Sequence, residues 1–417
     1  MNNKKNENKL DVYFREHLVG HLWLDERRRF VFGYDAGWLK QKGAIPLSLS
    51  LPLREELYID DTARSFFANL LPEAEIRKMI ARQLGISGQN DFAMLREIGG
   101  ECAGAVSVLP EGSSLLEKPG YRELDEEELH KIITELPRRP FLVGEKGVRL
   151  SLAGAQNKLP VYMEGNQIFI ATGNAPSSHI LKPPIQGLDE TVDNEAFCMM
   201  LASRMGLSVP KVTIRHGPDR LYIVERFDRE KSKDGNKILR LHQEDFCQAL
   251  NILPDQKYES EGGPSLARCF ALLKEESASP AADQKALLSW VVFNFLIGNA
   301  DAHAKNLAII YTARGPRLAP FYDLISTRVY PDLMDKFAMR IGGENRPDWI
   351  QSRHWERFSA EVNIKPRLVL QTLKEMGRNI FPRADDLAGD FYDNFGKAAI
   401  VGKIHEGIKK WVSRVTG

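Results

Sequence analysis

The sequence predicts an α+β protein in which a small N-terminal α/β unit precedes a β-rich lobe and then an α-rich lobe. Three observations carry that prediction. Short runs rich in β-branched and aromatic residues fill positions 10–34 and recur through 148–227. Apolar residues at helical spacing prevail from Gln243 to the end. Between the first unit and the second, residues 110–120 turn to Pro, Glu, Gly and Ser, the composition of a linker. The chain of 417 residues suffices for two to three cores at roughly 150 residues each. Its 43% hydrophobic and 27% charged residues are the balance of a soluble globular protein, not a disordered or fibrous one. Lys+Arg 57 against Asp+Glu 56 leaves a formal charge of +1, so no global field draws the chain onto nucleic acid or an anionic membrane.

In chain order, the polar start MNNKKNENKL leads into strand-like runs at 10–14, 18–24 and 29–34, a meander. From Asp61 the period becomes helical, through Phe66, Phe67, Leu70, Leu71, Ile76, Met79 and Ile80; Pro72 kinks or divides that helix and Gly85 stops it. An acidic helix is expected over 123–136, closed by Pro137. Residues 148–227 read as strands around one amphipathic helix at 191–205. Gln243–Gln248 is expected to open a core helix, and an apolar helix follows at 287–297. Strand-like runs at 307–311 and 317–319 interrupt the helices, which resume after Asp348. The expected domains are 1–112, 121–228 and 229–417.

Cys102, Cys198, Cys247 and Cys269 are widely spaced and form no C-x-x-C pair, which argues against a zinc site or a disulfide scaffold and for buried thiols in a reducing compartment. The N-terminus lacks the apolar core of a signal peptide. The longest apolar stretch, 286–298, carries Ser289 and Asn294 and falls short of the ~20 residues a membrane span needs. The expected location is cytoplasmic, with no membrane partner.

The segment Gly298-Asn-Ala-Asp-Ala-His-Ala-Lys-Asn306 places Asp301 and Asn306 on a loop between an apolar helix and a strand, at the D-x-x-x-x-N spacing of a kinase catalytic loop. Phosphoryl transfer needs a carboxylate to receive the hydroxyl proton, and an amide oxygen that holds Mg²⁺ without adding negative charge beside the triphosphate. A second carboxylate, Asp323, follows the hairpin in Pro320-Phe-Tyr-Asp-Leu324, where kinases keep a metal-binding Asp; here Leu-Ile follows it, not Phe-Gly. Upstream, Lys182 ends the strand-like His179-Ile-Leu-Lys182, and the next helix offers Glu195 as its ion-pair partner, with Glu190 as a rival. Ser151-Leu-Ala-Gly-Ala-Gln-Asn-Lys158 has small residues at Ala153, Gly154 and Ala155 that let backbone N–H groups approach phosphate, although a tight turn would read the same way. Backbone groups of Glu225, Arg226 and Phe227, where β gives way to α, suit an adenine edge. Trp349, Trp355 and Trp411 read as core, and Lys403, Lys409, Lys410 and Arg414 as a basic, solvated helical face.

Taken together these segments resemble the HipA family, the serine/threonine kinase toxins of bacterial type II toxin–antitoxin modules. The marks are 151–158 and His-Ile-Leu-Lys at 179–182, then Val-Asp-Asn-Glu at 192–195 and Val-Glu-Arg-Phe-Asp-Arg at 224–229. They continue with Tyr-Glu-Ser-Glu-Gly-Gly-Pro at 258–264, Asp-Ala-His-Ala-Lys-Asn at 301–306 and Pro-Phe-Tyr-Asp at 320–323. The resemblance implies a protein-kinase-like core of a β-rich N-lobe and an all-α C-lobe behind the N-terminal subdomain, with ATP and Mg²⁺ as cofactors. It makes Asp301 the catalytic base and Asn306 and Asp323 the Mg²⁺ ligands, with Lys182 on the α/β-phosphates. Ala153, Gly154, Ala155, Gln156, Asn157 and Lys158 would cover the nucleotide, Glu225, Arg226 and Phe227 would form the adenine hinge, and His303, Ala304, Lys305, Asn306, Tyr322 and Asp323 would line the site. Ser151 matches a self-phosphorylation position, and Asn157 stands where relatives also carry an acidic residue. The implied partners are a HipB-like helix-turn-helix antitoxin, operator DNA through that complex, and a protein substrate such as an aminoacyl-tRNA synthetase. Two other readings stay open on the residues: a small-molecule kinase, and a silent scaffold that works through an antitoxin on DNA.

Overall fold

The structure, a computed structural model, describes residues 8–113, 120–145, 148–235 and 237–416. The first residues of the polar start, most of the expected linker (114–119) and the Arg414 side chain lie outside the described residues. The chain divides into two compact units: 1–182 with 225–254, and 183–224 with 255–417.

In the first unit, β1 (Lys9–Phe14), β2 (His17–Leu24) and β3 (Phe30–Tyr34) form the expected meander. With β4 (Tyr58–Ile59) and β5 (Val106–Pro110) they build an antiparallel sheet in the order β4-β3-β2-β1-β5. Gly20 is required where β2 pairs with β3, because a Cβ there would lie 2.4 Å from the Gly33 carbonyl oxygen. A short helix α1 (Ala36–Lys40) follows β3. Helices α2 (Asp61–Ala68) and α3 (Ala74–Leu84) are separate, Pro72 lying between them, and Gly85 ends α3 at φ 65 in the left-handed conformation that favours glycine. Helix α4 (Asp91–Ile98) buries Phe92, Met94, Leu95 and Ile98.

The unit's second sheet has β6 (Gly120–Leu124), β7 (Leu159–Glu164), β8 (Gln167–Thr172) and β9 (His179–Lys182), with β8 between β6 and β7, and β9 beyond β7. The acidic helix is shorter than expected. Residues Glu123 and Leu124 belong to β6, and α5 (Glu126–Glu135) starts only after Asp125, whose carboxylate accepts the Glu128 N–H.

The second unit holds α6 (Thr191–Arg204) and the hairpin β10 (Val212–Arg215)–β11 (Leu221–Glu225), whose last residue falls in the first unit. Past residue 228 the chain is not helical at once, as the expectation of an all-α lobe had it. A hairpin of β12 (Arg229–Lys231) and β13 (Ile238–Arg240) comes first, then β14 (Gln243–Asp245) and the single-turn α7 (Phe246–Ala249). These residues belong to the first unit. Gln243–Asp245 are therefore strand, and Asp245 caps the turn that follows, in a capping box with Gln248.

The rest of the second unit is α8 (Leu266–Glu276), α9 (Pro280–Ile297), the hairpin β15 (Ala308–Thr312)–β16 (Gly315–Leu318), and α10 (Ser352–Glu361), α11 (Pro366–Phe395) and α12 (Ala399–Thr416). Helix α9 is buried on every face from Trp290 to Ile297 and is packed by α8, α11 and α12. Phe295 stands edge-on to Trp355 and Trp411 there. Trp349, expected in the core, is instead 57% exposed, with the Arg346 guanidinium 3.4 Å over its ring. Among the described residues no helix is long and apolar enough to cross a membrane.

Candidate active site

Helix α9 aims the loop that follows it. Gly298 ends the helix at φ 70, and the Asn299 N–H turns back to the Asn294 carbonyl at 2.9 Å. A relay of buried carboxamides then fixes the next turn. Asn294 Nδ2 donates to the Trp290 carbonyl (2.9 Å), Asn299 Nδ2 donates to Asn294 Oδ1 (2.8 Å), and the Asp301 N–H donates to Asn299 Oδ1 (3.1 Å). From the other side, the Ala300 N–H donates to Thr327 Oγ1 at 2.7 Å. The Asp301 carboxylate is exposed, and its Oδ1 accepts the Tyr258 hydroxyl at 2.7 Å.

The rest of the loop is buried. His303, Lys305 and Asn306 are 6–7% exposed, and one 3₁₀ turn, Ala304–Asn306, carries the chain into β15. The Asn306 carboxamide has no hydrogen-bond partner among the described residues. Tyr322 donates its hydroxyl to the Lys305 carbonyl at 2.7 Å, tying the segment after β16 to the loop. Asp323 sits at φ 53, in the left-handed region that aspartate adopts more readily than most non-glycine residues. Glu195, on α6, is buried and takes a hydrogen bond from the Tyr222 hydroxyl. Burial, then Glu195 and Asp323, push the Tyr222 phenol well above its ordinary value, so it stays a neutral donor. Glu190 is committed elsewhere: its carboxylate accepts the Ala399 and Ile400 N–H groups at the start of α12.

The remaining candidates lie in the first unit. Ser151 is fully buried; its N–H donates to the Glu101 carbonyl (2.9 Å) and its hydroxyl to the Leu70 carbonyl (2.8 Å). Gly154, at φ 110, receives the Glu73 N–H at 3.1 Å. The segment 151–154 is thus stitched to the turn between α2 and α3. Lys158 folds back so that its Nζ donates to the Ala153 carbonyl, and a Cβ on Gly154 would come within 2.7 Å of that Nζ. The Asn157 Oδ1 is buried without a partner among the described residues. Lys182, at the end of β9, is 5% exposed.

Arg226 is tied into the fold through both its backbone and its side chain. Its N–H donates to the Ser178 carbonyl (2.9 Å), and its guanidinium enters a buried cluster with Glu101, Asp228, Arg229 and Ser177. Burial alone would raise the Glu101 carboxyl, but Arg226, Arg240 and Arg229 outweigh it and hold it below its ordinary value. Glu225 is exposed and Phe227 half-buried beside it.

Five further residues shape these segments and carried no individual signal: Tyr258, Asn294, Asn299, Thr327 and Glu101. Tyr258 and Asn299 stand inside the motifs at 258–264 and 298–306, which was the available clue. The partners of Thr327 and Glu101 are distant in sequence.

Oxygen donors from one carboxylate and one carboxamide, Asp323 and Asn306, suit a hard cation such as Mg²⁺, which keeps few protein ligands and takes the rest from water and phosphate. The Asn306 amide, without a hydrogen-bond partner among the described residues, fits that role. Among the described residues no group of three His, Cys, Asp or Glu side chains could hold an ion unaided.

Comparison with known proteins gives concordant matches. The family described as "HipA-like C-terminal domain" matches residues 150–383, and "HipA N-terminal domain" matches 10–109. A Sinorhizobium fredii protein named "Putative kinase Y4mE" is 42% identical over 373 residues, 88% of this chain and 89% of that one. The "Serine/threonine-protein kinase toxin HipA" of Shewanella oneidensis is 33% identical over 389 residues, 89% of this chain and 87% of that one. A solved structure, "Shewanella oneidensis MR-1 Toxin Antitoxin System HipA, HipB and its operator DNA complex", matches with a TM-score of 0.85 at 29% identity, covering 97% of this chain and 96% of that one.

Proposed function

The chain belongs to the HipA family of kinases, and from that premise we propose that it transfers the γ-phosphate of ATP to a serine or threonine hydroxyl of a protein. The observation that carries the reading is the Asp301–Asn306 loop, where an exposed carboxylate is held at one oxygen and a buried carboxamide has no partner among the described residues. Asp301 receives the acceptor proton. Asn306 and Asp323 would hold Mg²⁺, which when bound neutralises phosphate charge. Lys182 holds the α/β-phosphates, 153–158 covers them, Glu225–Phe227 receive the adenine, and His303–Lys305 with Tyr322 line the site. In this reading 1–112, 121–228 and 229–417 are the functional divisions.

Ser151 is the self-phosphorylation site in this reading. Because its hydroxyl is buried against Leu70, the segment has to leave the α2–α3 turn first, and a phosphoserine of about −1.5 to −2 charge could not return to that carbonyl. The partners we infer are a HipB-like antitoxin and, through it, operator DNA, supported by the likeness to the Shewanella HipA found in such a complex. The acceptor we infer is a protein of translation, an aminoacyl-tRNA synthetase.

The test is phosphate incorporation from Mg-ATP, by intact mass and site mapping, in wild type, Asp301→Asn and Asp323→Ala. Asp301→Asn should lower transfer by roughly 10²–10⁴-fold with ATP binding kept; Asp323→Ala should weaken Mg-ATP binding as well. Equal incorporation in all three would sink the assignment.

A further inference from the structure

Asp301 is exposed, yet its carboxylate is not free to turn. The Tyr258 hydroxyl donates to Oδ1 at 2.7 Å, and no other described residue bonds that side chain. The torsion that orients a carboxylate is broad and roughly two-fold, so this one bond decides which oxygen faces outward.

Tyr258 is itself firmly placed. Its ring meets His303 edge-on, 5.2 Å between centroids at 79°. Its carbonyl accepts the Glu261 and Gly263 N–H groups, each at 2.9 Å. Gly263 closes that turn where no side chain fits, since a Cβ would lie 2.3 Å from the Gln256 carbonyl oxygen. The neighbouring Glu259 donates its N–H to the Ala338 carbonyl (3.1 Å) and accepts the Arg340 N–H (2.6 Å). The Ala338 N–H in turn donates to the Ala300 carbonyl at 2.9 Å, one residue before Asp301. Hydroxyl and carboxylate therefore stand on frames that are bonded to each other.

We propose that Tyr258 is a positioning residue for phosphoryl transfer: it pins Oδ1 of Asp301 so that Oδ2 is the oxygen that receives the acceptor proton. The inference rests on the reading of Asp301 as the base. In the step, the acceptor oxygen bonds to the γ-phosphorus as the bond from that phosphorus to the β,γ-bridging oxygen breaks. ADP leaves with the electron pair, and the acceptor proton passes to Oδ2. Tyr258 keeps its own proton throughout. Its contribution is to orientation, which governs turnover, and not to nucleotide binding.

The experiment measures ADP release from Mg-ATP with casein as the acceptor, in wild type, Tyr258→Phe, Asp301→Asn and the double variant. Phenylalanine keeps the ring against His303, and the melting temperature checks that the fold is intact. Tyr258→Phe should lower kcat by roughly ten- to a hundredfold, the worth of one hydrogen bond to a charged group, with KM for ATP unchanged. It should cost nothing further on the Asp301→Asn background. A kcat within twofold of wild type, beside an inactive Asp301→Asn, overturns the inference and leaves the base reading standing. Full turnover by Asp301→Asn overturns the base reading and the inference with it, as does a wild type that releases no ADP. A raised kcat, or phosphate mapped to Tyr258 itself, overturns the positioning role, since the phenol would then compete with the acceptor or be one.

Discussion

Asp301 and Glu101 show opposite ways of holding a carboxylate. Asp301 is exposed and steadied by one hydroxyl, which leaves an oxygen for chemistry. Glu101 is buried, and its Oε1 takes the Ser177 N–H and hydroxyl together with Arg226 and Arg229. Such a group is committed to the fold. Glu101→Ala leaves Arg226 and Arg229 short of a counter-charge and should cost about 3–5 kcal/mol, read as a lower denaturant midpoint. The Glu101 carbonyl also holds the Ser151 N–H, and alanine keeps that carbonyl, so this bond should survive in the variant. The spacing of Asp301 and Asn306, with Asp323 after the hairpin, was legible in the sequence because it is local. Tyr258 and Glu101 were not, because their partners stand 43 and 125 residues away and no local pattern encodes such a bond.

Elements were legible where a breaker marks their end. Pro72 divides α2 from α3, and Gly85 and Gly298 end α3 and α9, as their chemistry demands. The acidic helix was misplaced because Glu123 to Glu128 are acidic or apolar across both β6 and α5. Only the pairing of β6 with β8, and the cap at Asp125, fix that boundary. Similarly, Gln243–Asp245 carry no strand signature of their own. At Gly298 the left-handed backbone, not crowding, is the constraint: the nearest atom to an added Cβ is on the Arg328 side chain at 3.4 Å. Gly298→Ala should cost about 1–2 kcal/mol. It should also lower turnover, because the cap sets the register of Asn299 and Asp301. A variant with wild-type melting temperature and wild-type turnover would show that the cap tolerates a side chain.

Across the whole molecule, acid should act through buried groups. His242 is buried edge-on to Phe14, with Nε2 at 2.9 Å from the Leu47 carbonyl. Burial pushes its imidazole down from 6.5 to about 3. The unfolded chain therefore takes up this proton near 6.5 and the folded chain only near 3. Stability from this group is complete above that window and is lost as pH falls through it. Glu101 and Asp228, both held below their ordinary values by neighbouring arginines after burial is overcome, add a further loss at more acidic pH. His242→Gln should flatten the melting temperature between pH 6.5 and about 4.5, leaving the steeper acid limb below it. An identical pH profile would exclude His242 as the source.

The sequence by itself determined the α+β class, the helices and strands that breakers bound, and the D-x-x-x-x-N spacing of 301–306. Each of these rests on periodicity, breakers or contacts within a few residues, which local sequence encodes. Tertiary structure decided the rest: that 229–254 pack with the first unit, that Arg226 serves a buried ion cluster, that Ser151 is sealed against Leu70, and that Tyr258 holds Asp301. These depend on which distant segments meet, and that is settled by the burial of whole faces, not by the residues beside them.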